Sequence, residues 1–272
     1  MCLLVLAWQA HPRYRLVVAA NRDEYHERPA AALAKWPEPE AIIAGRDLRA
    51  LGTWLALDRE RRFGVVTNFR ELQPPRRGAP SRGELIPRYL APRTAAGATA
   101  PPEGSSPREF FAALERHAGS YAGFNLLLAD RESLWYGSNR ATPFARELAP
   151  GVYGLSNELL DTPWPKLQRV RRGFESWLSR SEASAAELFE LLNDRTRLKD
   201  DAALPAGRSG LPREWDRILS APFVLHPEYG TRCSTVLLEE PDGALYLAER
   251  RFDPRGEAAG ETEFRLNAAE WP

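Results

Sequence analysis

The hydrophobic pattern opens with two continuous apolar runs, at 3–8 and 16–20, joined by the polar turn His11-Pro12-Arg13. That arrangement predicts a β-hairpin. Neither run alternates with polar residues, so the sheet they enter is expected to be buried on both faces. Shorter runs predict further strands at 42–44, 53–57, 63–67, 124–129, 134–136 and 152–155. A final hairpin, 235–238 with 245–249 around Pro241-Asp242-Gly243, is expected to close the chain.

Helix signals lie between these strands. Ser81 with Glu84, Ser106 with Glu109 and Ser184 with Glu187 each have capping-box spacing. Pro107 takes the favoured first position, and Gly119 reads as a stop. Thr162-Pro163 is expected to start a longer helix whose apolar face is Leu167, Val170, Phe174 and Trp177. Pro212 opens a shorter one through Trp215 and Leu219. The stretch 92–105, rich in Ala, Gly, Thr and Pro, reads as a surface loop, because strands of the same style resume after it. One domain over residues 1–272 is expected. Its class is α+β, with two stacked sheets flanked by helices, since strands apolar on both sides need cover on both sides.

Composition narrows the picture. A hydrophobic fraction of 43% supports a real core, and a formal net charge of zero gives no electrostatic reason to expect nucleic acid or an acidic membrane as partner. Only Lys35, Lys166 and Lys199 are lysines, a compositional bias towards arginine. Cys2 and Cys233 form one bridge at most and no disulfide scaffold. The first apolar run lacks a basic leader and is too short to span a bilayer, so the chain is expected to be cytoplasmic and reduced, with no transmembrane segment. The four histidines have no metal-ligand spacing, and there is no phosphate-binding glycine motif. No metal or organic cofactor is expected.

Cys2 is the first candidate for chemistry. A small second residue permits removal of Met1, which leaves a thiol and a free α-amine on one residue. An α-amine of pKa about 8 is basic enough to take the thiol proton. The same cysteine also suits a small apolar position in the first strand. Next come Asn21-Arg22-Asp23-Glu24, four polar residues at the end of an apolar strand. Alternation puts Arg22 and Glu24 on one side, Asn21 and Asp23 on the other. Near Cys2 an arginine would lower the thiol pKa and a carboxylate would hold the amine; an ion pair at a hairpin end accounts for the same residues. Asn68 and Asn157 each end a strand, where an amide either stabilises an oxyanion or forms a turn. Arg232, within Gly230-Thr231-Arg232-Cys233, offers a second arginine or a surface salt bridge.

Taken in order, these segments resemble the NRDE family, whose eukaryotic members are called transport and Golgi organisation protein 2. The resemblance starts with Met1-Cys2 and Ala20-Asn21-Arg22-Asp23-Glu24 and continues through Gly52-Thr53-Trp54-Leu55, Thr67-Asn68 and Ser81-Arg82-Gly83-Glu84-Leu85. It extends over Gly123-Phe124-Asn125, Gly154-Leu155-Ser156-Asn157, Asp161-Thr162-Pro163-Trp164 and Tyr229-Gly230-Thr231-Arg232. The family is similar in turn to N-terminal nucleophile hydrolases of the bile-salt hydrolase and penicillin V acylase group. That likeness implies a four-layer αββα sandwich and a small-molecule substrate cleaved at a non-peptide amide bond. It also implies Cys2 as nucleophile, with Arg22, Asp23, Asn68, Asn157 and Arg232 in support. In that group the early arginine and aspartate are separated by two residues, whereas Arg22 and Asp23 are adjacent. Aligned by the acidic residue, Glu24 takes the carboxylate's place and Asn21 the arginine's. The alternative that the family resemblance implies is a non-catalytic carrier or trafficking protein for a hydrophobic ligand such as haem or an acyl lipid.

Overall fold

The apolar runs at the start of the chain form β1 (Cys2–Trp8) and β2 (Leu16–Tyr25), an antiparallel pair buried on both faces, as the absence of alternation predicts. The computed structural model describes residues 2–37, 41–71, 76–91, 106–180, 183–198 and 211–271. By its contacts the chain divides into two units, Met1–Glu27 with Pro150–Glu270, and Arg28–Ala149 with Trp271–Pro272.

In the first unit β1 and β2 are the inner strands of a six-stranded antiparallel sheet. Its other strands are β10 (Gly151–Ser156), β11 (Tyr229–Glu239), β12 (Leu245–Phe252) and β13 (Ala258–Leu266), in the order β10-β1-β2-β11-β12-β13. Helices α3 (Pro165–Leu178) and α4 (Ala185–Leu192) pack on one face of this sheet. Val170, Phe174, Trp177 and Leu188 meet Leu3, Val5, Val17, Ala19 and Val236 there. The opposite face, with Leu4, Leu6, Val18, Leu237 and Leu247, is buried as well. A short α5 (Arg213–Ile218) follows Pro212, as expected.

The second unit is a seven-stranded antiparallel meander. Its strands are β3 (Ala30–Lys35), β4 (Ile42–Asp47), β5 (Leu55–Asp58), β6 (Phe63–Asn68), β7 (Phe124–Ala129), β8 (Leu134–Ser138) and β9 (Ala145–Leu148), each paired with the next. Helices α1 (Leu85–Leu90) and α2 (Pro107–Glu115) bury Leu85, Ile86, Tyr89, Phe110 and Phe111 with Ala56, Leu126 and Leu128. The class is α+β with two antiparallel sheets. Among the described residues no helix is long and apolar enough to cross a membrane.

Three strands lie outside the hydrophobic pattern. β3, β9 and β13 are edge strands with few or no buried side chains; β9 and β13 carry no apolar run, and β3 is almost all alanine. β13 corrects the expectation that the β11–β12 hairpin closes the chain. Helix starts divide by mechanism. Ser106 makes its box: its Oγ accepts from the Glu109 N–H at 3.3 Å, and the Glu109 carboxylate accepts from the Ser106 N–H at 3.0 Å. Ser184 and Glu187 form theirs too. Ser81 makes no side-chain cap and leads instead into a 3-10 turn before α1. The long helix begins at Pro165, later than Thr162, because Trp164 precedes a proline and is held extended. The loop expected at 92–105 lies outside the described residues.

Candidate active site

Cys2 starts β1, and the antiparallel register sets it opposite Arg22 of β2. Arg22 is in turn opposite Cys233 of β11, and Cys233 is opposite Arg251 of β12. Register partners project to the same face, so thiol and guanidinium alternate along one rung across four strands. The face is the one turned away from α3 and α4, because Leu3 and Asn21, the neighbours of Cys2 and Arg22, lie on the helix side. On the other flank of Cys2, Leu3 pairs with Ser156 of β10, and the buried Asn157 follows immediately. The Ser156 hydroxyl lies 3.3 Å from both the Cys2 carbonyl and the Asn157 Oδ1.

β2 does not stop at Ala20. It continues to Tyr25, so Arg22 and Asp23 project to opposite faces of one strand. Asp23 reaches Cys2 through its backbone, which hydrogen-bonds the thiol. Its side chain, 1% exposed, accepts a hydrogen bond from the Thr231 hydroxyl at 2.7 Å. Its carbonyl accepts another from the Tyr229 hydroxyl at 3.0 Å. Glu24 returns to the Arg22 side, with Oε2 4.0 Å from Arg22 Nη2. Asn21 is committed to the helix side: its amide donates to the Leu192 and Pro222 carbonyls at 2.8 and 3.0 Å and accepts from Ser234 at 2.6 Å. It therefore does not take the arginine's place beside Cys2.

Arg232 sits in a β-bulge. The β2–β11 register passes from Asp23–Thr231 directly to Arg22–Cys233, which leaves Arg232 as the extra residue. Its Nη1 donates to the carbonyls of Tyr25 and His26 at 3.0 and 3.2 Å, tying the end of β2 to the start of β11. Cys2, Arg22, Asp23, Asn157 and Arg232 thus gather at one end of β10, β1, β2 and β11. Asn68 is the last residue of β6 in the second unit, opposite Phe124.

The electrostatics follow from burial. It pushes the Cys2 thiol above its ordinary range, while Arg22 and the Asp23 backbone hydrogen bond pull it back. Burial also raises Asp23, against the charge of Lys166, the Thr231 hydrogen bond and the charge of Arg22. Burial, together with Glu249, pushes Cys233 well up. Desolvation and the neighbouring Arg22 lower Arg232.

Sequence reasoning missed Lys166, Tyr229, Thr231 and Cys233 as members of this cluster. Lys166 left a readable signal: with Val170, Phe174 and Trp177 it falls on the apolar face of α3, at spacings of four, four and three. Tyr229 and Thr231 left none, because their neighbourhood depends on a bulge that periodicity does not reveal.

The family model for Transport and Golgi organisation 2 matches residues 1–254. The chain belongs to this family. It is 36% identical to the Transport and Golgi organization protein 2 homolog of Bos taurus, covering 98% of this chain and all of the relative. The Homo sapiens homolog is 31% identical over the same share of this chain and its own full length. Among solved structures, the N-acylethanolamine-hydrolyzing acid amidase ortholog of Caenorhabditis elegans matches with a TM-score of 0.43 and 10% identity, over 88% of this chain and 93% of that one. Gly52 and Gly83 have a structural role in the second unit. Gly52 backs onto Gly83 so closely that a Cβ would come within 2.4 Å of the Gly83 carbonyl carbon, and the Thr53 N–H donates to that carbonyl at 3.0 Å.

Proposed function

We propose that the protein is an N-terminal cysteine hydrolase that cleaves a non-peptide acyl amide after loss of Met1. The observation that carries this reading is the position of Cys2: second in the chain, at the open end of an inner strand, opposite Arg22 and beside Asn157. With Met1 in place the Cys2 nitrogen is an amide and has no basicity. Removal of Met1 creates an α-amine on the nucleophile itself, and that amine is the general base. The amine takes the thiol proton as Sγ attacks the substrate carbonyl. Asn157 donates to the developing oxyanion. The same amine returns the proton to the departing amine, leaving a thioester on Cys2, which water then hydrolyses to a carboxylic acid. Arg22 favours the thiolate, Asp23 holds the amine, and Arg232 fixes the end of β2.

A second reading is a carrier of a hydrophobic ligand such as haem or an acyl lipid, with which a Cys2 thiol raised by desolvation is compatible. The family's names, which speak of transport and organisation, fit that role too. Intact mass before and after brief exposure to a limiting thiol alkylator separates the two, with Cys2→Ala as control. Loss of Met1 with fast labelling of Cys2 near neutral pH supports the hydrolase. A retained Met1, or a Cys2 that labels no faster than a free thiol, leaves the carrier.

A further inference from the structure

Lys166 is out of place by every local rule. It lies in the first turn of α3, where the helix dipole disfavours a cation, and it is 4% exposed. Burying an ammonium is costly unless an anion accompanies it. The chain otherwise uses arginine almost throughout, and the other described lysine, Lys35, is exposed. The first turn of α3 is pressed against the sheet at β10 and β1, with Leu167 in contact with Gly154. Asp23 is the buried carboxylate on that helix side of β2, and the Lys166 charge acts on it.

We propose that Lys166 is a positioning residue: its ammonium shares the Asp23 carboxylate with the α-amine of Cys2 and so keeps that amine neutral and ready to take the thiol proton. This rests on the hydrolase reading above. The register supplies the geometry, since Cys2 is opposite Arg22 and its nitrogen therefore faces the strand position where Asp23 follows. The charged and titratable groups that interact with Asp23 are Cys2 on β1, Arg22 on its own strand, Tyr229 on β11 and Lys166 on α3. Arg22 and Lys166 act in the same direction from the two faces of the sheet. The Asp23 carboxylate by itself favours the ammonium form of the amine and opposes the thiolate; Lys166 offsets that charge, so both groups titrate lower with Lys166 present.

The test is the pH dependence of Cys2 alkylation by iodoacetamide, with loss of Met1 verified by intact mass and folding by thermal melting. Lys166→Met is expected to move the midpoint of the profile upward by about one pH unit, and Lys166→Arg to restore most of the shift. If Lys166→Met does not fold, Lys166→Gln removes the charge while keeping a hydrogen-bond donor, and is expected to show the same shift. In an Asp23→Asn background the shift is expected to disappear, because the lysine acts through that carboxylate. A folded, charge-removed variant whose profile superimposes on wild type overturns the proposal, and so does an equal shift in both backgrounds. A wild type that retains Met1 overturns this proposal and the hydrolase reading together. A wild type with a fast, low-midpoint Cys2 that Lys166→Met leaves unmoved overturns the role of Lys166 alone.

Discussion

Cys2 and Arg22 are register partners at the open end of the β1–β2 ladder, so the thiol and the guanidinium leave the sheet on the same face. Arg22 is buried, and its charge opposes the rise that burial imposes on Cys2. Because the cation favours the thiolate, Arg22→Met is expected to raise the pH midpoint of Cys2 labelling by one unit or more, roughly tenfold in rate at neutral pH, whereas Arg22→Lys retains most of the effect. Alkylation rates measured across pH check this, and an unchanged midpoint in folded Arg22→Met contradicts it.

The same rung keeps the two thiols apart. Arg22 stands between Cys2 and Cys233, which places them two strand spacings apart, about 9.5 Å. A disulfide requires Cα atoms within about 7 Å. Mild oxidation is therefore expected to yield no Cys2–Cys233 bridge, and the intact mass of the oxidised, unreduced chain to show no loss of two hydrogens. A bridged tryptic pair would show that the β1–β2–β11 register is wrong.

The three capping-box spacings predict different energies once their hydrogen bonds are seen. Ser106→Ala removes a cap that is made and is expected to cost about 1 kcal/mol. Ser81→Ala removes none and is expected to be within about 0.5 kcal/mol of wild type. Urea denaturation of both variants measures the difference, and equal losses would contradict it.

These cases show where the sequence was legible. Continuous apolar runs identified both strands of the first hairpin and most of both sheets, because burial on two faces leaves no room for polar alternation. Edge strands such as β13 carry almost no buried side chains, and their existence rests on backbone pairing that hydrophobicity does not record. Family likeness named Cys2, Arg22, Asp23, Asn157 and Arg232, which strand pairing brings to one end of the first sheet, but it did not give their arrangement. Whether Arg22 and Asp23 share a face depends on where β2 ends, and Arg232 owes its place to a bulge. Both are properties of pairing between strands far apart in the chain. Lys166 was readable from helical spacing alone, as a cation on an apolar face.

Away from the rung, Arg15 and Glu239 form a buried ion pair at 2.6 Å, and Arg15 also lies over the Trp8 ring at 5.0 Å. Glu239→Gln leaves a buried guanidinium without its counter-charge and is expected to cost about 3–5 kcal/mol. Replacing both, Arg15→Met with Glu239→Leu, is expected to recover most of that loss, since an apolar pair of similar volume avoids the desolvation of two charges. Denaturation of the single and double variants is the check, and a double variant weaker than Glu239→Gln would contradict it.

The central claim, that Cys2 with a freed α-amine takes an acyl group, is tested most directly by trapping that acyl group. The protein is incubated with an activated acyl donor such as a p-nitrophenyl ester or a β-lactone, quenched in acid and mapped by peptide mass. The account predicts one acyl increment, carried by the peptide that begins with Cys2 and absent when Met1 is retained by design or when Cys2 is alanine. Acylation elsewhere, or acylation of Cys2 that proceeds equally well with Met1 in place, would contradict it.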